Sequence, residues 1–415
     1  MLTFAAKKAM QAEELYSQIL GINDPWEISS VSLSDSDSSV TVHLSHAPGI
    51  SFSCPTCGDS CKVYDHSPER TWRHLDTCQY YTYLKTRLPR VNCPKCGIQQ
   101  VRTSWCSPNS RFTLLFTSYA VACLRNSQVI SRTAEQLRLS QRQLSYLLRC
   151  VVDKGMTARE VSAAECEYLA IDEKSCKKGH KYVTIIYSQK GGRVLAVAED
   201  RTIESVKKAY QEALKDLPEA QVTAVSMDMW AAFASVTQEV LPTASIVHDR
   251  FHVVSYLNDA VDTTRKKENK QLITAGNDVL KKTKYLWLTN PENLSTKQKE
   301  HWDIVAKNPE LATYRAWQLK ENFKQFFEAK TPQAAQKFFD TWHEKVTQLA
   351  NAPLQKVATM LKEHLNGLLT YAQNPISNAI AEGTNSIIQQ IKAKARGFNS
   401  PTAFRYAILF YCGGF

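Results

Sequence analysis

Two short cysteine pairs, Cys54-Pro-Thr-Cys57-Gly and Cys93-Pro-Lys-Cys96-Gly, restrict this chain more tightly than any other feature. A two-residue gap lets both thiolates of a pair reach one ion, and two pairs supply the four soft ligands of tetrahedral Zn²⁺. The Gly after each pair permits the tight turn that aims backbone amides at the sulfurs. Four protein ligands close the shell, so the expected metal is structural: it folds the module and keeps no position for water. Between the pairs the sequence alternates in strand fashion at Tyr80, Tyr81, Tyr83, Leu84 and Leu88, which predicts a ribbon of short strands. Cys61 and Cys78 read as small buried hydrophobes or as spare ligands. His74 is not needed as a ligand once the four cysteines complete the shell.

Twelve cysteines also raise the possibility of a disulfide-rich exported protein. The opening MLTFAAKKAMQAEEL lacks the long apolar core of an export signal, so a reducing cytoplasm is the expected compartment. No uninterrupted apolar run reaches the length of a membrane helix, and no membrane partner is expected. At 415 residues and 43% hydrophobic content the chain has room for two or three domains with separate cores. A formal net charge of +11 suggests a polyanionic partner, because Lys and Arg that neutralise phosphates release condensed counterions. A merely solvated basic surface is the competing account.

Two segments suit contact with DNA. Arg70, Trp72, Arg73, His74, Lys85, Arg87 and Arg90 interleave cations with an aromatic, as a phosphate-contacting surface does, though an ordinary charged face has the same pattern. From Ser131 to Cys150 the sequence offers Ser131 as an N-cap, Glu135 in the first turn, a break near Leu139-Ser140 and a second helix. Ala134, Leu137, Leu139, Leu144, Leu147 and Leu148 form the inner face of this predicted helix-turn-helix. Gln141, Arg142, Gln143 and Ser145 are left to meet base edges. A plain packing hairpin of helices remains open.

From Glu167 the pattern changes to apolar strand-like runs: EYLAID, KYVTIIY, and RVLAVAE after the turn signal Lys190-Gly191-Gly192. A helical stretch follows, then the strand VTAVSMD, a helix from Trp230, the strand ASIVHD and a helix from about Arg250. The order βββαβαβα predicts an RNase H-like domain whose first strand is central, with the strand after the first helix beside it. Each of these strands is read as ending in an acid, Asp172 and Asp228. Carboxylates that converge repel unless a cation joins them, and oxygen-only ligation favours Mg²⁺ or Mn²⁺. Glu382 is the third expected ligand, on a helix opened by Pro375 and Ser377, with Asn378 and Asn385 flanking it at i−4 and i+3. An exposed surface Glu is the alternative for that helix taken alone. Lys392, Lys394 and Arg396 close it as phosphate contacts or as an ordinary basic helix end. The aromatic-rich stretch between, with Trp287, Trp302, Trp317, Phe326, Phe327, Phe338, Phe339 and Trp342, reads as an inserted helical domain whose aromatics build its own core.

The expected fold class is therefore multidomain α+β. Residues 1–50 form an N-terminal helix and strand segment, 51–106 a zinc ribbon and 107–163 a helix-turn-helix region. Residues 164–265 form the first part of an RNase H-like catalytic domain, 266–374 an all-helical insertion and 375–415 the closing catalytic helices. The Ser/Asp run from Ser32 to Ser39 reads as a loop or hairpin ahead of the ribbon.

The CPxCG pairs with RHLD, PRVNCPKCG, AIDEK, HDRFHV and SNAIAEGTN together resemble bacterial insertion-sequence DDE transposases of the ISL-three type across nearly the whole chain. That resemblance implies a polynucleotidyl transferase that binds terminal inverted repeats and then cleaves and joins strands, using Mg²⁺ or Mn²⁺ at Asp172, Asp228 and Glu382. It also implies double-stranded DNA partners, both element ends and target, a homodimer or higher oligomer on that DNA, and association with the nucleoid. His248, Asp249 and His252 fit the HDxFH pattern as site support. The chain stops abruptly at Tyr-Cys-Gly-Gly-Phe, as if short of a few tail residues. Two rivals share the front half: a zinc-ribbon transcription regulator with an inactive nuclease-like domain, and an RNase H-like nuclease that only hydrolyses.

Overall fold

The computed structural model describes residues 11–415 except 177–180, 216, 218–221, 375, 377 and 378. The chain divides into two units, Met1–Leu147 and Leu148–Phe415. In the first, α1 (Ala12–Leu20) stops at Gly21, whose φ of 60° only a residue without Cβ adopts cheaply. Then come β1 (Trp26–Ser34), β2 (Ser39–His46), β3 (Ser51–Ser53), β4 (Ser60–Thr77), β5 (Tyr80–Cys93) and β6 (Gly97–Gln100). They form one sheet in the order β1-β2-β5-β4-β3, with β6 also on β5. The run from Ser32 to Ser39 holds the end of β1, the turn at residues 35–38 and the first residue of β2, the hairpin alternative of the sequence reading.

The strands are not the short ones expected of a ribbon. β4 and β5 pair from Val63↔Val91 to Thr77↔Tyr80, well beyond the cysteine knuckles. The cause is a core larger than the metal site: Trp72, Leu84, Leu88 and Val91 bury one face of the hairpin with Trp26, Phe52 and Trp105. Three helices follow, α2 (Leu114–Ser127), α3 (Ile130–Gln136) and α4 (Gln141–Ala158). Helix α3 starts one residue before Ser131, which lies inside it; Val129 takes the N-cap position, its amide donating to Ser127 Oγ at 3.2 Å. Ala134, Leu137, Leu144 and Leu147 are buried as the spacing requires.

In the second unit the strands and helices come in the order read from the sequence: β7 (Tyr168–Ser175), β8 (Tyr182–Ser188), β9 (Arg193–Glu199), α5 (Ile203–Ala213), β10 (Ala224–Met227), α6 (Ala231–Val240), β11 (Ser245–His248) and α7 (Arg250–Thr274). The sheet order is β11-β10-β7-β8-β9. Strand β7 is central, β10 runs parallel to it and β8 antiparallel. Leu169 and Ile171 of β7 pack with Val206, Tyr210, Phe233 and Val236 of α5 and α6 in a dry core. Such alternation of inward apolar residues fixes register, since a slip by one residue would turn every side chain to the other face.

Beyond α7 lie α8 (Lys284–Leu288), α9 (Thr296–Val305), α10 (Ala312–Asn322), α11 (Pro332–Gln348), α12 (Ala352–Glu363), α13 (Leu365–Leu369), α14 (Ala379–Lys394) and α15 (Pro401–Cys412). Trp287, Phe323, Phe326, Phe339 and Trp342 are buried together with Leu257 and Val261 of α7. The aromatics therefore serve a core, and that core grows out of α7, which passes residue 266 without a break. Among the described residues no helix is long and apolar enough to cross a membrane.

Candidate active site and metal centre

The sulfurs of Cys54, Cys57, Cys93 and Cys96 all lie within 4.8 Å of one another. The knuckle turns bring them there: Gly58 and Gly97 adopt φ of 82° and 71°, and Gly58 N donates to Cys54 O at 2.9 Å. Backbone amides point at the sulfurs, as metal-binding thiolates need. The amide of Lys95 chiefly draws Cys93 down to about 6, while Cys96 is pushed up to about 12, chiefly by its hydrogen bond with Cys57. Four sulfurs this close fit Zn²⁺, which replaces their shared protons. Cys61 is buried in the core. Cys78 is exposed at φ 50°, so the buried reading fails for it: the β4–β5 turn puts it on the surface. His74 is a core histidine, its Nδ1 2.9 Å from Thr113 Oγ1, and burial pushes it down to about 4.

The basic residues expected on the ribbon separate into two groups. Arg73 is buried; it pairs with Asp76, donates to His74 O at 2.6 Å and lies 4.7 Å from the Tyr81 ring. Arg90 pairs with Asp65, whose carboxyl it holds below the usual range. Arg70 covers Trp72 at 5.3 Å and donates to Ser110 O at 3.4 Å. Lys85 and Arg87 instead line an open groove. At the start of α4, Gln141 and Arg142 are exposed and Ser145 half-buried. Gln143 is occupied by its own helix: its Oε1 accepts from Ser140 N and Oγ, both at 2.9 Å, in a reciprocal cap.

In the second unit Asp172, Asp228 and Glu382 line one cleft of about 600 Å³. Register explains the first two. The β10–β7 ladder runs from Ala224↔Tyr168 to Ser226↔Ala170, so Asp228 lies level with Asp172 just past its end. Asp172 is not the last residue of its strand as expected; β7 continues to Ser175 because β8 goes on pairing after β10 has left. Glu382 is exposed in the first turn of α14. Among the described residues only the four cysteines form a group of three or more whose ligand atoms all lie within 4.8 Å of one another, so the three carboxylates share a cleft without sharing that sphere. Their chemistry suits a hard divalent cation, since every donor is an oxygen.

Each acid is held. Asp172 Oδ1 accepts the amide of Glu173 at 2.7 Å, and its Oδ2 takes Asn385 Nδ2 at 2.9 Å and Lys174 Nζ at 2.6 Å. Asn385 is turned that way by the buried Tyr187, whose hydroxyl donates to Oδ1 at 2.7 Å. Tyr256 reaches both oxygens of Asp228 at 3.4 Å. His252 lies between Asp228, at 3.7 Å, and Asp249, at 3.8 Å. Asp249 also caps α7 through the amide of Phe251 at 2.8 Å. His248 is buried at the end of β11, its ring 5.3 Å from that of His364. Burial first, then His364, pushes His248 down to about 4. Asn378 lies outside the described residues. Lys392 is committed to Ser175 O at 2.5 Å, while Lys394 and Arg396 are exposed.

Sequence reasoning missed Lys174, Tyr187 and Tyr256. Two had a signal: Lys174 is two residues from Asp172 on one strand, and Tyr256 follows His252 by one helical turn. Tyr187 had none, being one aromatic in an apolar run.

A family model described as a transposase, of the DDE type named for ISL3, matches residues 169–408, which includes all three acids of the cleft. This chain belongs to the ISL3 family of DDE transposases. A second model, the zinc-finger of the transposases of IS204, IS1001, IS1096 and IS1165, matches residues 51–96 and thus both knuckles. The chain is 29% identical over 360 residues to the transposase for insertion sequence element IS1001 of Bordetella parapertussis, covering 85% of this chain and 86% of that one. It is 26% identical over 428 residues to the transposase for insertion sequence element IS1557 of Mycobacterium tuberculosis, covering 95% and 94%. As a member of this family the chain is a DNA transposase, with a zinc ribbon at its front.

Proposed function

We propose that this transposase binds the terminal inverted repeats of its own insertion sequence and cleaves and rejoins DNA there, with Asp172, Asp228 and Glu382 as its catalytic carboxylates. One observation carries the reading: three acids far apart in sequence line a single cleft. Support for an RNase H-like core is the central β7 with β10 parallel on one side and β8 antiparallel on the other. The three carboxylates would hold Mg²⁺ or Mn²⁺, which when bound activates the attacking oxygen and stabilises the leaving one in an in-line displacement at phosphorus. Asn385 and Lys174 orient Asp172, Tyr256 and His252 do so for Asp228, and Asp249 sets the start of α7. His248 supports the site only through packing. Zn²⁺ at the four cysteines holds the ribbon.

Duplex DNA is the partner, and a homodimer or higher oligomer the assembly. α3 and α4 act as a helix-turn-helix in which Gln141, Arg142 and Ser145 read base edges, and Lys394 and Arg396 meet phosphates near the cleft. Residues 51–106 act as the ribbon, 107–163 as the DNA-reading helices, 164–265 with 375–415 as the catalytic domain and 266–374 as its helical insertion.

The test uses a labelled end duplex with Mg²⁺. Wild-type protein nicks at the repeat boundary and joins the freed 3′ end to a second duplex, whereas a purely hydrolytic nuclease yields no joined product. Asp228→Ala lowers cleavage by about 10³-fold or more while end binding survives; a variant as active as wild type refutes the assignment.

A further inference from the structure

The first unit carries a groove of about 690 Å³ whose walls include His43, His46, Lys62, His66, Lys85 and Arg87. Its one acidic residue is Glu69. Strand geometry gathers these cations: Lys85 and Arg87 lie two apart on β5 and so on one face, and His43 of β2 is the cross-strand partner of Lys85. Opposite, the rings of His46 and His66 meet edge to edge, their planes 10° apart, their centroids 5.1 Å apart and their Nε2 atoms 2.8 Å apart. His46 Nδ1 lies 3.0 Å from Ala47 O and donates to it, which leaves Nε2 to accept from His66. That wall is a fixed, hydrogen-bonded pair.

We propose that this groove seats the phosphate backbone of duplex DNA without reading its sequence. The inference rests on the DNA-binding function proposed above and assigns it a surface. Charge complementarity supports it: Lys62, Lys85 and Arg87 have no ion-pair partner among the described residues. Arg70, Arg73 and Arg90 nearby are spent on carbonyls, rings and carboxylates of their own unit. The choice of backbone over bases follows from the lining. It offers cations, imidazoles and the hydroxyls of Ser29, Ser45 and Thr86, all of which take phosphate oxygens, and although Lys and Arg also pair with guanine, a concave wall receives the protruding backbone and does not itself enter a DNA groove to reach base edges. Contacts of that composition position a protein on DNA and carry little sequence information. Lys85 and Arg87, successive on one face of a strand, lie about 7 Å apart along it, so they track a length of backbone instead of gripping one point.

The experiment measures binding of the zinc-loaded full chain to its element's end duplex and to an unrelated duplex of equal length, over a range of salt. Lys62→Gln, Lys85→Gln and Arg87→Gln are compared with wild type singly and together. Each is expected to weaken both duplexes by the same factor and to reduce the slope of log K against log salt by about 0.9 per lost phosphate contact. The preference for the end duplex should stay as in wild type. Unchanged affinity and slope, or a loss confined to the end duplex, overturns the proposal. Should the triple variant not fold, Lys62→Gln at an exposed rim position decides alone. A wild-type protein with no preference for its own end would contradict the terminal-repeat reading, while the slopes would still judge the groove.

Discussion

Asp172 shows how a single side chain of the cleft is aimed. Its Oδ2 is gripped by Asn385, and Asn385 cannot rotate because Tyr187 donates to its other end from a fully buried position 198 residues away in sequence. Tyr187→Phe keeps the packing and deletes one hydrogen bond, worth about 1 kcal/mol, so turnover should fall roughly 5- to 10-fold while end affinity is unchanged. Equal turnover would show that the amide needs no such support. Asn385→Asp, which sets a second carboxylate against Asp172, should cost more than Asn385→Ala. That the two aspartates would meet was legible in the sequence because each follows an apolar run, and the two runs pair in parallel so that both line one cleft. Tyr187 was not legible, since its role exists only once α14 covers its strand. The burial of Arg73 was not legible for a related reason: composition cannot distinguish an Arg that waits for phosphate from one already surrounded by three aromatic rings and a carboxylate.

Among the elements, β11 and α13 meet at a contact with no spare room. A methyl group added at Gly367 would come within 2.5 Å of the His248 ring, which His364 already backs. Gly367→Ala should therefore destabilise the second unit by about 1–3 kcal/mol, read as a lower urea midpoint. The same histidine predicts a pH dependence. Its folded value of about 4 lies below the ordinary 6.5, so the unfolded chain binds the extra proton. Stability is complete above about pH 6.5 and falls as pH drops through 4, by up to a few kcal/mol. In His248→Asn that acid-side slope should flatten; an identical profile would assign it to other groups. Strand order was readable from the alternation of apolar runs with helical spacing. Strand length was not: β7 outlasts its parallel neighbour, and β4 and β5 extend to satisfy a tryptophan core the cysteine pairs do not announce.

At the level of the whole molecule, candidate metal ligands fall in both units, thiolates in the first and carboxylates in the second. Removing Zn²⁺ with a thiol-competitive chelator, or substituting Cys93→Ser, should unfold the ribbon and weaken end binding. The cleft's own chemistry should be retained on a pre-bound or pre-nicked end. A single cooperative loss of both would mean that the zinc site also supports the second unit. Both candidate sites were legible because each leaves a local mark, a CPxCG knuckle in the first unit and an acid at a strand edge in the second. The helical segment's attachment through α7 was not, since an unbroken helix leaves no boundary in sequence.

Mn²⁺ titration of the zinc-loaded protein on its end duplex, followed by electron paramagnetic resonance, tests most directly whether the three acids act as one ligand set. Wild-type complex should bind Mn²⁺, with Asp172→Asn, Asp228→Asn and Glu382→Gln each losing it while DNA stays bound. Undiminished Mn²⁺ binding in all three variants would contradict the account.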